Sequence, residues 1–104
     1  MQLYPLKLVT VVGETVIMDD IAKEGVELGA TGYTMGEVIG QGSRGARNVI
    51  VTGASKTMKV EFVVPMDVAE RILTHVSHNY FEHYACIAWV GDVQVVRGAT
   101  YVGK

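Results

Sequence analysis

The order in which strand-like and helix-like segments follow one another is the feature that most limits the fold of this 104-residue chain. Residues 6–12 are mostly apolar and β-branched, as is typical of a central strand. Residues 16–28 carry apolar side chains at helical spacing, and Gly29 is placed to end that helix. Residues 32–39 alternate loosely between apolar and polar side chains, which predicts a second strand.

The same succession begins again at residue 57. Thr57–Val64 alternates so that its apolar side chains share one face, as expected of a strand that covers a core. Pro65 ends this strand, and Asp67 is suited to cap a helix. Apolar residues at helical spacing then extend over residues 68–80, which predicts a second amphipathic helix.

A final strand completes the second half of the chain. Residues 86–96 have strand character, with an interruption expected near Gly91 and Asp92. The resulting order is βαββαβ. This order predicts an α+β, ferredoxin-like sandwich in which two helices cover one face of a four-stranded antiparallel sheet. We expect residues 1–104 to form one domain.

The segment between the two halves, residues 40–56, is a long loop with four glycines. Loops of this length in small domains are usually functional or disordered. Glycines let backbone N–H groups approach an anion, and arginine forks bind phosphate oxygens bidentately. Four residues of the loop therefore form a candidate phosphate site: Gly42, Ser43, Arg44 and Arg47. The residues alone leave a solvated loop equally open, and no Walker motif is present.

Composition narrows the classes of function. Hydrophobic residues make up 49% of the chain and its mean hydropathy is +0.26, so a small domain would finish burying its apolar surface in a homo-oligomer. The net charge of −2 argues against nucleic acid as a partner. The single cysteine excludes an internal disulfide, and no apolar stretch approaches the length of a membrane span. We expect a cytoplasmic protein without direct membrane insertion.

Six short segments give the chain a resemblance to a known family: KLV (7–9), GYT (32–34), GSR (42–44), KVE (59–61), YF (80–81) and YA (84–85). With the order of elements, they resemble the PII-like signalling proteins along nearly the whole chain. The similarity is greatest to the branch linked to inorganic-carbon uptake and carboxysomes.

The resemblance implies a homotrimeric regulator rather than an enzyme. Each cleft between subunits would bind an adenine nucleotide, preferably ADP or AMP, with cAMP and ATP as alternatives. Residues 40–56 would be the T-loop, which orders or disorders with the ligand, and bicarbonate is a candidate second ligand. The expected partners are a bicarbonate transporter or another carbon-concentrating protein, with association to a carboxysome or a membrane transporter.

The resemblance also assigns nucleotide-binding residues. The phosphates would meet Gly42, Ser43, Arg44 and Arg47. The adenine pocket would be lined by Tyr33, Thr34, Glu61, Phe62 and Val63. A short B-loop would bring backbone N–H groups of Tyr84, Ala85, Cys86 and Ile87 to the phosphates. Arg97 would lie in the cleft. Arg97 could instead form a salt bridge between subunits. Glu61 could instead simply face solvent.

Two other functions on the same fold are open. His75 and His78 lie on one helical face at a spacing that can hold a zinc or copper ion, as in a trimeric cation-tolerance protein, although a solvated helix face is the simpler interpretation. An acylphosphatase-like hydrolase would need an asparagine in the first loop, whereas the asparagines are Asn48 and Asn79. We therefore predict no metal site and no catalytic residue.

Overall fold

The structure is a computed structural model that describes residues 1–39 and 57–98; residues 40–56 and 99–104 lie outside the described part. The elements are β1 (Tyr4–Glu14), α1 (Thr15–Glu27), β2 (Thr34–Val38), β3 (Thr57–Val64), α2 (Met66–Asn79) and β4 (Cys86–Val95). The predicted order βαββαβ is confirmed.

The four strands form one antiparallel sheet in the order β2-β3-β1-β4. The long strand β1 is central and pairs with β3 on one side and β4 on the other. Helix α1 packs mainly on β3, and helix α2 packs on β1 and β4. Both helices therefore cover the same face, which confirms the ferredoxin-like prediction. No helix in residues 1–39 or 57–98 has the length and apolar character needed to cross a membrane.

Strand β4 is continuous, so the predicted interruption near Gly91 and Asp92 is wrong. Gly91 pairs with Leu8 and Asp92 with Lys7 of the central strand. The ammonium of Lys7 also forms an ion pair with the Asp92 carboxylate. Pairing with the neighbouring strand outweighs the weak strand propensity of glycine and aspartate.

The predicted cap of α2 is wrong as well. The helix begins at Met66, so that Asp67 lies inside its first turn, and Pro65 occupies the N-cap position. No side-chain cap bond forms there among the described residues. Asp67 instead pairs with Arg71 one turn later, with 3.5 Å between Oδ2 and Nη1. An acidic group in the first turn still complements the helix dipole.

The core fills the space between the sheet and the helices. Its largest fully buried members are Val9 and Val11 of β1, Val60, Phe62 and Val64 of β3, Met18 and Ile21 of α1, and Ile72 and Val76 of α2. Gly25 of α1 lies directly against the Phe62 ring, because a Cβ built on Gly25 would be 2.3 Å from Phe62 Cε1. A glycine at this position lets α1 approach the sheet closely.

Candidate functional site

One end of the sheet brings together the strand ends that border the predicted T-loop and the predicted B-loop. Val38, the last residue of β2, pairs with Thr57, the first residue of β3. Thr57 also pairs with Glu14 at the end of β1, and the neighbouring Gly13 pairs with Cys86 at the start of β4. The chain thus leaves the sheet after Val38, and returns to it at Thr57, at the same end of the sheet as the segment that contains Ala85. We call this the loop end of the sheet.

At the loop end, Glu14 holds the predicted B-loop. The N–H of Ala85 donates a hydrogen bond to Glu14 Oε2 at 2.7 Å, in a partly buried position. Gly13 allows the close approach, since a Cβ there would lie 3.1 Å from the Ala85 carbonyl oxygen. Glu14 is the N-cap residue of α1, but within the described residues its carboxylate makes no cap bond to that helix. Sequence reasoning missed Glu14, because its partner lies 71 positions away.

Cys86 follows directly after this hydrogen bond and is partly buried against the core. Burial first, and then the charge of Glu14, raise the pKa of the Cys86 thiol to about 11. The thiol is therefore neutral near pH 7 and is a poor nucleophile or metal ligand. Cys86 thus serves as a packing residue at the edge of the core.

The face of the sheet opposite to the helices, which we call the open face, carries several predicted site residues. Its members alternate with the core residues along each strand: Leu8, Thr10, Val12, Thr34, Glu61, Val63, Ile87 and Trp89. Strand pairing aligns Thr34 with Glu61, Glu61 with Thr10, and Thr10 with Trp89 in one row across all four strands. Lys59 lies beside Glu61 on this face, with 3.7 Å between Nζ and Oε2.

The open face also exposes two large apolar side chains of β4. Ile87 is 58% exposed and Trp89 is 48% exposed. Tyr84 is exposed just before β4, and its ring packs near the Tyr80 ring, with the two ring centroids 6.0 Å apart. Sequence reasoning did not assign Trp89 to a site, although its alternation with Cys86 and Ala88 would have placed it on the open face.

Phe62 corrects one prediction. Its side chain is fully buried beneath α1, on the face opposite to Glu61 and Val63, so it does not line an accessible pocket. Its neighbours in the sequence are suited to that role, because strand side chains alternate between faces. Tyr33 is half exposed and meets the edge of the Phe62 ring, with the ring centroids 6.5 Å apart. Phe62 can therefore support Tyr33 from within the core.

Arg97 lies at the other end of the sheet. It comes after β4, whose last residue, Val95, pairs with Tyr4, whereas Cys86 begins the strand at the loop end. Nine strand steps separate the two ends by about 30 Å. One chain therefore does not bring Arg97 to its own predicted B-loop. The backbone of Arg97 has φ 63°, in the left-handed region.

The remaining predicted phosphate ligands, Gly42, Ser43, Arg44 and Arg47, lie outside the described residues. Their assignment stays a prediction, as does the T-loop over residues 40–56.

The sequence suggested that His75 lies on a solvated helix face, but its side chain contacts the other helix. Its Nε2 lies 2.7 Å from Glu24 Oε1, and the Tyr80 hydroxyl donates to the same oxygen at 2.8 Å. Asn79 Nδ2 donates to the His75 carbonyl oxygen at 2.8 Å, while His78 is exposed. The two contacts to Glu24 connect α1 with α2 and the turn after it. Among residues 1–39 and 57–98, no three His, Cys, Asp or Glu side chains are grouped to hold a metal ion.

Comparison with known proteins identifies the family. The model of the nitrogen regulatory protein P-II family matches residues 6–100. The chain belongs to the P-II family. A solved structure of a PII-like signalling protein from Thermus thermophilus is 46% identical in sequence to this chain, with a TM-score of 0.81. The match covers 98% of this chain and 100% of the Thermus chain.

More distant P-II relatives share the fold. CPII from Thiomonas intermedia, bound to ADP, AMP and acetate, is 21% identical, with 97% of this chain and 98% of CPII covered and a TM-score of 0.81. A structure of CPII described as a nitrogen regulatory PII-like protein, bound to ADP, AMP and bicarbonate, is 23% identical, with 92% and 98% covered and a TM-score of 0.73. At these identities the likeness concerns the fold.

Proposed function

We propose that this P-II family member is a regulatory protein that binds an adenine nucleotide, preferably ADP or AMP, at the clefts between the subunits of a homotrimer. The observation that carries the proposal is the loop end of the sheet. There the borders of the predicted T-loop, Val38 and Thr57, lie at the same end of the sheet as the predicted B-loop, Tyr84 to Ile87. CPII, which has the same fold, was crystallised with ADP and AMP.

The trimer is supported by the open face and by where the site residues lie. Ile87 and Trp89 expose apolar surface that further copies of the chain would remove from water. Thr34 on β2 and Ile87 on β4 lie at opposite edges of the sheet, about 14 Å apart at the usual spacing of strands. Arg97 is further away still. A ligand that contacts all of these groups would do so with contributions from two subunits.

In this proposal the nucleotide acts through the loop it contacts. Tyr33, Thr34, Glu61 and Val63 would surround the adenine, and Arg44 and Arg47 would bind phosphate oxygens. Because ordering the T-loop costs conformational entropy, a ligand that contacts only its ordered form shifts the population towards that form. The ordered or mobile T-loop would then signal the energy or inorganic-carbon state to a partner.

We extend the proposal to the carbon-linked branch of the family. Bicarbonate would be a second ligand, supported by the CPII structure that contains it with ADP and AMP. The partner would be a bicarbonate transporter or another carbon-concentrating protein, contacted from the cytoplasm. The chain would act without turnover. Within the described residues, Asn79 donates a hydrogen bond to the His75 carbonyl oxygen, and no contact favours the hydrolase alternative.

Isothermal titration calorimetry tests the proposal directly. Full-length protein is titrated with AMP, ADP, ATP and cAMP, each with and without bicarbonate. We expect saturable binding of ADP and AMP. The absence of any adenine-nucleotide binding at millimolar concentration would refute the proposal. An increase in affinity with bicarbonate would support the carbon-linked part, and no change would contradict that part alone.

A pair of charge-removing variants separates phosphate binding from the general electrostatics of the protein. Arg44→Gln removes a predicted phosphate ligand, whereas Lys23→Gln removes one positive charge from the exposed surface of α1. A lost hydrogen bond to a charged group typically costs about 1.5–3 kcal/mol, so Arg44→Gln should weaken ADP binding by about tenfold or more. Equal effects of the two variants would show that Arg44 is not a ligand.

A further inference from the structure

We propose that Glu14 is a positioning residue that sets the phosphate preference of this site, so that adenine nucleotides with one or two phosphates bind better than the triphosphate. This inference rests on the proposed function and deepens it. It starts from the hydrogen bond between the Ala85 N–H and Glu14 Oε2 at 2.7 Å.

The hydrogen bond to Glu14 occupies one of the backbone donors of the B-loop. In the proposed site, backbone N–H groups of the B-loop would bind phosphate oxygens. The Ala85 N–H already donates to a carboxylate, which is a strong acceptor. A phosphate has to bind the neighbouring donors instead, or displace Glu14. The number of donors that the B-loop offers to a phosphate chain is therefore reduced by one.

The negative charge of Glu14 also acts on a phosphate bound at the B-loop. A phosphate bound next to Ala85 lies close to the Glu14 carboxylate, and two negative charges in a partly buried position repel each other more strongly than in bulk water. The influence of the Glu14 charge on this segment is visible at Cys86, whose pKa it helps to raise. Repulsion grows with the charge of the ligand, so it acts most strongly against a triphosphate.

Glu14 has a fixed position between two elements of the fold. The residue joins β1 to α1, and its backbone pairs with Thr57 in the sheet. The preceding Gly13 lies in close contact with Ala85 and Cys86. Glu14 thus holds the B-loop through a short, fixed connection.

The test compares Glu14→Gln with a matched variant, Glu27→Gln. A glutamine at position 14 keeps an oxygen that can accept the Ala85 N–H but removes the charge. Glu27 is exposed at the last residue of α1, about 20 Å from the first turn, and its replacement removes the same charge from the same helix. Dissociation constants for AMP, ADP and ATP are measured by calorimetry with EDTA present, so that no metal ion compensates the phosphate charge.

We expect Glu14→Gln to raise the affinity for ATP relative to AMP at least fivefold, and Glu27→Gln to leave this ratio unchanged. A merely structural role of Glu14 would change the affinity for all three nucleotides by the same factor, and that result would overturn the inference. If the wild-type chain binds no adenine nucleotide at all, the proposed function itself is refuted. The two failures are therefore distinguishable.

A measurement without nucleotide tests the positioning. Amide hydrogen exchange at Ala85 should be slow in the wild-type protein and in Glu14→Gln, and at least tenfold faster in Glu14→Ala, which removes the acceptor. Amides in the centre of β1, at Val9 and Val11, should remain protected in all three proteins if the fold is intact. Equal exchange at Ala85 in wild type and Glu14→Ala would overturn the positioning role.

Discussion

Replacing Gly25 by alanine would place a methyl group where the ring of Phe62 lies. The new Cβ would be 2.3 Å from Phe62 Cε1 and 2.4 Å from Cζ, whereas carbon atoms in contact are about 3.5–4.0 Å apart. More than an ångström of overlap has to be relieved. Because the Phe62 side chain is 0% exposed and surrounded by core residues, the ring can move only if its neighbours or α1 move as well.

The free energy of unfolding should fall by about 2 kcal/mol. Overpacking of a core typically costs about 1–3 kcal/mol, and the value here belongs at the upper end because the overlap is large. Alanine recovers about 1 kcal/mol through its higher helix propensity. For a domain of this size, about 2 kcal/mol corresponds to a fall in melting temperature of about 10 °C. Urea unfolding followed by circular dichroism, at one fixed protein concentration, measures the change.

A double-mutant cycle isolates the contact. Phe62→Leu shortens the side chain opposite Gly25, so adding Gly25→Ala to this variant should cost less than about 0.5 kcal/mol or stabilise it slightly. Gly32→Ala is the control, since a Cβ there meets no atom within 4 Å among the described residues. The reasoning is refuted if Gly25→Ala is as harmless as the control, or if its cost is the same with leucine at position 62.

Three further outcomes follow from the structure. With a pKa of about 11, about 1% of the Cys86 thiol is ionised at pH 9, whereas about half of an ordinary thiol is ionised at that pH. Alkylation of this single cysteine should therefore be about 50-fold slower in the folded than in the unfolded protein. Equal alkylation rates would contradict the burial of Cys86. Trp89→Glu should reduce the mass measured by light scattering below that of a trimer, because it places a charge on the open face; an unchanged trimer would mean that this face is not the interface. Burial first, and then the hydrogen bond to Glu24, raise the pKa of Tyr80 above its usual range. Since the unfolded chain loses this proton at lower pH, the free energy of unfolding should decrease as the pH rises above about 10, and the decrease should end at a lower pH in Glu24→Gln; identical pH profiles in urea titrations would show that Glu24 does not stabilise the phenol.

The order of the elements and the two faces of β3 could be predicted from the sequence alone. Thr57–Val64 was predicted with the bounds that the structure has, because its apolar residues alternate without a break and Pro65 stops them. Alternation is a local property of a strand and needs no knowledge of partners. The same property would have kept Phe62 out of the predicted pocket, since Glu61 and Val63 face the other way.

Local signals were insufficient where a distant partner decides the geometry. The strand β4 runs through Gly91 and Asp92 because β1 offers them hydrogen bonds and an ion pair, which the propensities of the two residues do not contain. Gly25 is explained by the ring of Phe62, 37 positions later in the chain.

The residues of the candidate site also fall into two groups, those predicted from the sequence and those placed by strand pairing. The glycines and arginines of the loop, and the resemblance they support, pointed to a phosphate ligand. Only the register of β1 with its two neighbours brought Glu14 to Ala85, across 71 positions, and set Arg97 at the opposite end of the sheet. Periodicity and propensity act over a few residues, whereas the contacts that shape this site depend on how the strands pair.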